Sequence, residues 1–229
     1  ACATVVPRSI CGRPAAALLA DERDADDAFA REVAAYVTSG VAAAAFHTGS
    51  PRFDGEWALG TYTMAALGLG QVALLHPELR DSHLPAMEQC AEQLTAPATN
   101  AFGTEAWGSS GFDGLPGGEG HAYLGYTNLA LSMLRLVAPE SRFAAVHDRL
   151  TEGLARRLAR APHTLFETYP GEAYPADIAM VAGSIALHDC ATGAPERPWL
   201  GAFRAAFSGW IDPASGLAYQ AGIAATGRP

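Results

Sequence analysis

The segment "FETYPGEAYPAD", residues 166–177, concentrates side chains that can transfer protons, directly before the apolar run "IAMVAGSIAL". Carboxyl groups beside a buried helix can act as general acids or bases, because burial raises a carboxyl pKa. Asp177 is therefore either a catalytic carboxylate or an acid favoured by the helix dipole. Glu172 is either a loop acid or the second carboxylate of acid–base or glycosidic chemistry. Tyr169 and Tyr174 are candidate substrate contacts.

Two further stretches carry candidate site residues. In "GTEAWG", Glu105 is a candidate catalytic acid and Trp107 a candidate ring for stacking against a sugar or an apolar chain, unless Trp107 fills the small core of its own loop. In "GGEGHAYLGYTN", His121 is either a group for proton transfer near neutral pH or a histidine at a helix start. Tyr123 and Tyr126 are three residues apart and share one helix face, so both are candidate substrate contacts.

The stretch "FDGEW" offers a third set of polar and aromatic groups. Glu56 and Trp57 are candidate substrate-binding residues, whereas Asp54 suits a helix cap. The histidines outside these stretches are scattered, and the cysteines form no cluster with metal-ligand spacing, so we expect neither a metal site nor a cofactor.

The elements that must position these residues are helices. Three runs are apolar on nearly all sides, which predicts burial on all sides: residues 62–80, 126–142 and 174–193. One-sided helices alternate with them: residues 24–40, 82–96, 141–162 and 197–212. The pattern predicts an all-α fold with an inner and an outer layer, and only residues 216–222 suit a short extended piece.

Long loops lead into the predicted inner helices at residues 49–56, 97–120 and 162–175. Such loops are uncommon in a compact domain unless they are functional. Because each precedes an inner helix, we expect them to gather at one end of the helix array. The sequence therefore predicts a cavity whose mouth carries the acids and tyrosines.

Residues 53–229 resemble the linalool dehydratase/isomerase family, within the (α/α) toroid or six-hairpin glycosidase-like superfamily. The likeness is carried by "YTMAALGLGQVALLHPELR", "GHAYLGYTNLALSMLRLV", "YPGEAYPADIAMVAGSIALHD" and "WIDPASGLAYQAGIAATGRP". It implies a toroid of helical hairpins, preceded by a segment with the first outer helix at residues 1–52. The family's reactive cysteine positions hold Thr168 and Asp177 here, and its histidine position holds Tyr126.

The resemblance implies a lyase or isomerase that acts on an alcohol without a cofactor, here through carboxylates and tyrosine. The acids and tryptophans leave open a carbohydrate-active glycoside hydrolase or epimerase acting on an oligosaccharide. The third hypothesis for the function is a non-catalytic binding or assembly subunit. The predicted hairpins form only part of a ring, which would expose an apolar patch. We therefore expect a second chain or a C-terminal remainder to complete the toroid.

Composition limits the partners and the compartment. The net charge of −9, with no lysine, lacks the basic footprint of a nucleic-acid-binding protein. No apolar run reaches the roughly 20 residues of a transmembrane segment. Cys2 and Cys11 could pair in an oxidising compartment, whereas Cys90 and Cys190 suit buried thiols. We expect a proteolytically processed protein exported to the periplasm or the extracellular space.

Overall fold

A computed structural model of the chain describes residue 12, residues 15–117 and residues 121–229. The helices are numbered here as α1 (Arg23–Thr38), α2 (Pro51–Leu75), α3 (Arg80–Thr95), α4 (Ala101–Trp107), α5 (Leu124–Val137), α6 (Ala144–Arg160), α7 (Pro175–Thr192) and α8 (Pro198–Phe207). Within these described ranges β structure is confined to isolated bridges, including Ile211 with Ala218 and Ala173 with Gly222. The predicted all-α class is confirmed.

The helices pack in two rows. Helix α5 lies between α2 and α7, and these three form an inner row. In an outer row, α3 packs against α2 and α5, α6 packs against α5 and α7, and α1 packs against α2 and α3. The apolar runs of the sequence form the inner row, and the one-sided helices form the outer row. A closed toroid stays a prediction.

A buried polar network ties the inner row to the outer row. The Asn128 side chain in α5 donates to the Ser184 hydroxyl of α7 at 2.9 Å and accepts from the Thr151 hydroxyl of α6 at 2.9 Å. All three side chains are fully buried. Since an unpaired buried amide is costly, this network favours one register among the three helices.

Helix α2 begins earlier than the sequence analysis predicts. Residues 51–56 were expected in a loop, but they form the first turns of α2. Ser50 caps this start by accepting from the backbone amide of Phe53 at 3.5 Å, and Pro51 occupies the first helical position. Asp54 accepts from the backbone amide and hydroxyl of Thr48, both at 2.8 Å, which fixes the chain entering the helix.

Helix α4 lies inside the segment 97–120, which was predicted to be a loop. Gly103 belongs to this helix, where a Cβ atom would collide with the Tyr123 ring. Gly108 ends the helix in a left-handed conformation with φ of 71°. The glycines of "GTEAWG" therefore allow a close helix contact and a helix end rather than an irregular loop.

One side of the inner row has no neighbour among the described residues. Phe53, Trp57 and Met64 of α2 and Phe29 and Tyr36 of α1 are all more than half exposed, and we call this surface the apolar flank. Helix α2 is long and apolar enough to cross a membrane by length and composition, although 50% of its most apolar window is buried.

The cysteines divide between core and surface. Cys90 is buried in α3, as predicted, and burial raises the pKa of its thiol to about 12. Cys190 is exposed, so the prediction of a buried thiol is wrong; it lies in the last turn of α7, on the outward side. The predicted pair of Cys2 and Cys11 lies outside the described residues.

Candidate active site

An open groove crosses the inner row where α2 begins and where α5 and α7 start, and it encloses about 1650 Å³. Glu56 from α2, Tyr126 from α5 and Asp177 from α7 all line this groove. From there the groove continues along the apolar flank. Three separate stretches of sequence thus contribute to one cavity.

Asp177 is held by two hydroxyl groups in this groove. Its carboxylate accepts from the Tyr126 hydroxyl at 2.8 Å and from the Thr168 hydroxyl at 2.6 Å. Thr168 reaches Asp177 because the chain reverses between Tyr169 and Glu172, which form an isolated bridge. Tyr126, Thr168 and Asp177 therefore meet in one hydrogen-bonded group.

Glu56 forms the second acid–tyrosine pair. The Tyr169 hydroxyl donates to its carboxylate, and the Arg52 guanidinium lies over the Tyr169 ring at 4.5 Å. Burial raises the pKa of Glu56 above its usual range. The hydrogen bond from Tyr169 lowers the pKa, while the negative charge of Asp177 raises it further. Glu56 therefore retains a proton to higher pH than an ordinary glutamate.

Glu172 forms the third pair, nearer the rim of the groove. It accepts from the Tyr174 hydroxyl at 2.6 Å and lies 3.4 Å from the Arg52 guanidinium. The hydrogen bond to Glu172 raises the pKa of Tyr174 to about 12. Burial likewise raises the pKa values of Tyr126 and Tyr169. All three tyrosines stay protonated at neutral pH and can orient the carboxylates by donating hydrogen bonds.

Three site residues predicted from the sequence, Glu105, Trp107 and His121, lie outside the groove. Glu105 is exposed and borders a separate, smaller depression. The Trp107 ring stacks on His121 at 4.5 Å, and its indole donates to the Thr168 carbonyl oxygen at 2.9 Å. Trp107 thus packs against His121 and the segment 166–177, which lie outside the loop whose small core was the alternative considered for it.

His121 is also buried against other aromatic side chains. It is 5% exposed and lies between the rings of Trp107 and Tyr123. Burial lowers the pKa of His121 to about 4, so the ring is neutral at physiological pH. Tyr123 lines the groove, yet it is 3% exposed and its hydroxyl has no partner among the described residues.

Arg52 and the polar role of Thr168 were not predicted from the sequence. Arg52 lies in the first turn of α2 and contacts both Tyr169 and Glu172. The residues next to Arg52 in the sequence do not predict these contacts, because Tyr169 and Glu172 belong to the segment before α7. Trp57, which the analysis did name, is exposed in the groove and stacks with Phe46 at 6.3 Å.

No family model matches the chain, and no curated protein matches it significantly.

Proposed function

We propose that the protein is a cofactor-independent enzyme that applies carboxylate and tyrosine acid–base chemistry to an alcohol, as a lyase or isomerase. The observation that carries this proposal is the placement of Asp177, with its two hydroxyl donors, beside Glu56 at the end of an apolar groove. Two carboxyl groups in different environments can divide the roles of acid and base.

The proposed reaction needs no oxidant or reductant. Glu56, in its protonated form, donates a proton to the substrate hydroxyl, and the C–O bond breaks with loss of water. Asp177 accepts a proton from the neighbouring carbon, and the electrons of that C–H bond form the double bond. If water instead adds back at another carbon of an allylic system, the same groups carry out an isomerisation.

The walls of the groove favour a substrate with a hydrocarbon chain. Away from the acids, the lining is dominated by side chains such as Phe53, Trp57 and Met64. An oligosaccharide would leave many hydroxyls without partners along such a wall, at a cost for each desolvated group. An isoprenoid alcohol presents one hydroxyl to the acids and an apolar chain to the flank.

A substrate panel with variants tests this proposal. We expect turnover of an isoprenoid alcohol, measured by product formation, and a loss of at least about a hundredfold in Asp177→Asn, in keeping with the usual contribution of a general base. Asp113→Asn, an exposed change outside the groove, serves as the matched control. Unchanged activity in a folded Asp177→Asn protein would contradict the site assignment.

A glycoside hydrolase or epimerase is the alternative enzyme class. It is favoured by the pairing of Glu172 with Asp177 in one groove and by the exposed ring of Trp57, which suits stacking on a sugar. Turnover of oligosaccharides and not of alcohols in the same panel would select this class.

The apolar flank favours a second role as an assembly subunit. We propose that it binds an apolar helix of a second protein chain. Gly60 and Gly68 of α2 face open space there, which leaves room for close approach of a helix. Asp21 and Glu32 border the same groove, so the partner helix should carry basic residues beside its apolar face. Native mass spectrometry tests this: a stable 23.8 kDa monomer, alone in preparations from the source cells, would contradict it.

A further inference from the structure

A compact group of metal-ligating side chains lies away from the groove. His147 and Asp148 of α6 and His188 of α7 each offer a ligand atom, and these atoms lie within 4.8 Å of one another. His188 and Asp177 belong to the same helix, and a rise of about 1.5 Å per residue separates them by roughly 16 Å along its axis. The expectation that the histidines stay scattered is therefore wrong for His147 and His188, which folding brings together.

The hydrogen bonds of His147 leave one ring nitrogen free. Its Nε2 lies 2.9 Å from the Ser132 hydroxyl, which also lies within hydrogen-bond distance of the carbonyl oxygens of Asn128 and Ser184. When the single Ser132 hydroxyl hydrogen goes to one of these carbonyls, the hydroxyl oxygen is the acceptor for Nε2–H of His147. The other nitrogen, Nδ1, then carries a bare lone pair, and it is buried without a partner among the described residues.

His188 is oriented as a metal-ligating histidine usually is. Its Nδ1 lies 3.1 Å from the carboxylate of Asp189, while its Nε2 lies 3.0 Å from the carboxylate of Asp148. Donation from Nδ1–H to a carboxylate fixes the ring and leaves Nε2 as the ligand. Asp189 is itself held by Arg197, whose Nε lies 2.9 Å away.

We propose that His147, Asp148 and His188 bind one zinc ion, with water as the fourth ligand. Two imidazole nitrogens and one carboxylate, with an open fourth position, are a ligand set that zinc accepts. Tetrahedral bonds of about 2.0–2.1 Å place ligand atoms roughly 3.3 Å apart, so the group must contract slightly around the ion. The Asp148 side chain is half exposed, which leaves it free to make that adjustment.

Local charge also suits a cation. Asp148 and Asp189 flank His188, with one carboxylate near each ring nitrogen, at 3.0 Å and 3.1 Å. A zinc ion would lie between Nε2 and Asp148. Arg135 opposes the ion through its positive charge near His147, and Arg197 is already neutralised by Asp189 and Glu152. Bound zinc would link α6 to α7 and stabilise the folded chain by mass action.

Metal titration of the full chain tests the proposal. After treatment with a chelator, we expect calorimetry to show one zinc ion per chain, and cobalt to give the absorption bands of a tetrahedral site. Asp148→Asn removes a half-exposed ligand with little effect on folding, and it should weaken zinc binding at least about tenfold. His188→Gln should weaken binding as much or more.

The matched control is His76→Gln. His76 pairs with Asp26 at 2.9 Å but belongs to no group of three ligands among the described residues. Zinc affinity and the rise in melting temperature on adding zinc should be unchanged in this variant. Absence of a stoichiometric site, or equal binding by Asp148→Asn and the wild type, would overturn the proposal.

Discussion

At the scale of single residues, the groove contains a set of acids, each held by a tyrosine. Tyr126 donates to Asp177, Tyr169 donates to Glu56, and each of these tyrosines is kept protonated by burial and by its acid. The tyrosines therefore act on the carboxylates as positioning groups. Asp177 depends on two such donors, Tyr126 and Thr168, which allows each contribution to be removed separately.

Tyr126→Phe removes one donor from Asp177 and keeps the ring. A hydrogen bond to a charged group contributes about 1.5–3 kcal/mol, so turnover of the best substrate should fall roughly ten- to hundredfold. Steady-state kinetics measures this, with Tyr219→Phe as the control outside the groove. Equal rates for both variants would remove Tyr126 from the proposed mechanism.

His121 makes the fold sensitive to acid. Its folded pKa of about 4 lies below the unfolded value of 6.5, so the folded state holds fewer protons than the unfolded state between these values. The stability contribution is complete above pH 6.5 and is lost as the pH falls towards 4. It amounts to on the order of 3 kcal/mol.

Urea unfolding of wild type and His121→Phe from pH 7 to pH 4 measures this effect. Phenylalanine keeps the ring that stacks on Trp107 but cannot be protonated. The variant should lose less stability than the wild type over the same pH range. Parallel curves for the two proteins would show that protonation of His121 is not the cause.

At the scale of elements, α2 carries glycines on two faces that have different surroundings. Gly55 lies on the packed face, where a Cβ atom would come within 2.7 Å of Phe102. Gly60 lies on the open face, where a Cβ atom would meet nothing within 4 Å. Gly55 therefore allows a close packing contact, whereas Gly60 faces an open surface.

Alanine substitutions at these positions should have opposite effects. Gly55→Ala should lower the free energy of unfolding by about 1–3 kcal/mol, because the new methyl group overpacks the contact with Phe102. Gly60→Ala should raise it by up to about 1 kcal/mol, because alanine is the better helix former. Urea denaturation of both variants measures the difference, and a loss of stability at both positions would contradict the assignment of an open face.

The helices of the inner row could be predicted because each is a long apolar run. Their positions at α5 and α7 agree with the sequence analysis to within a few residues. The first turns of α2 were taken for a loop because "GSPRFDGE" contains turn formers, although Ser50 and Pro51 are also signals for a helix start. Helix α4 was missed because it is short, carries Gly103, and depends on packing against Tyr123.

The site was harder to predict than the helices. The acids and tyrosines of residues 166–177 could be predicted as site residues because they are concentrated in one short stretch of the sequence. The placement of Glu105 and Trp107 outside the groove could not, because it follows from the direction in which α4 faces. The meeting of His147 with His188 likewise depends on how α6 packs against α7.

At the scale of the whole molecule, an acidic chain carries a continuous apolar surface. The net charge is −9, yet Trp57 is 60% exposed and Met64 is 65% exposed on the same helix. Large exposed apolar patches mark sites of interaction. The net negative charge opposes association of copies of the chain through this flank, and the proposed partner would carry the opposite charge.

Met64→Gln should reduce the exposed apolar surface without disturbing the core. We expect weaker binding of a hydrophobic fluorescent dye and a lower tendency to associate in sedimentation experiments, with an unchanged melting temperature. Met133→Gln, a change in the buried part of α5, is the contrasting variant and should lower the melting temperature instead. Equal dye binding by wild type and Met64→Gln would show that the flank is already covered.

The hydrogen bond from the Trp107 indole to the Thr168 carbonyl gives the protein a built-in optical reporter. Thr168 holds Asp177, so a shift of this segment when a ligand enters must alter the surroundings of the indole. In a variant whose other three tryptophans are replaced, emission from Trp107 would report such a shift before any product has been identified. Ligands could then be found by spectroscopic screening.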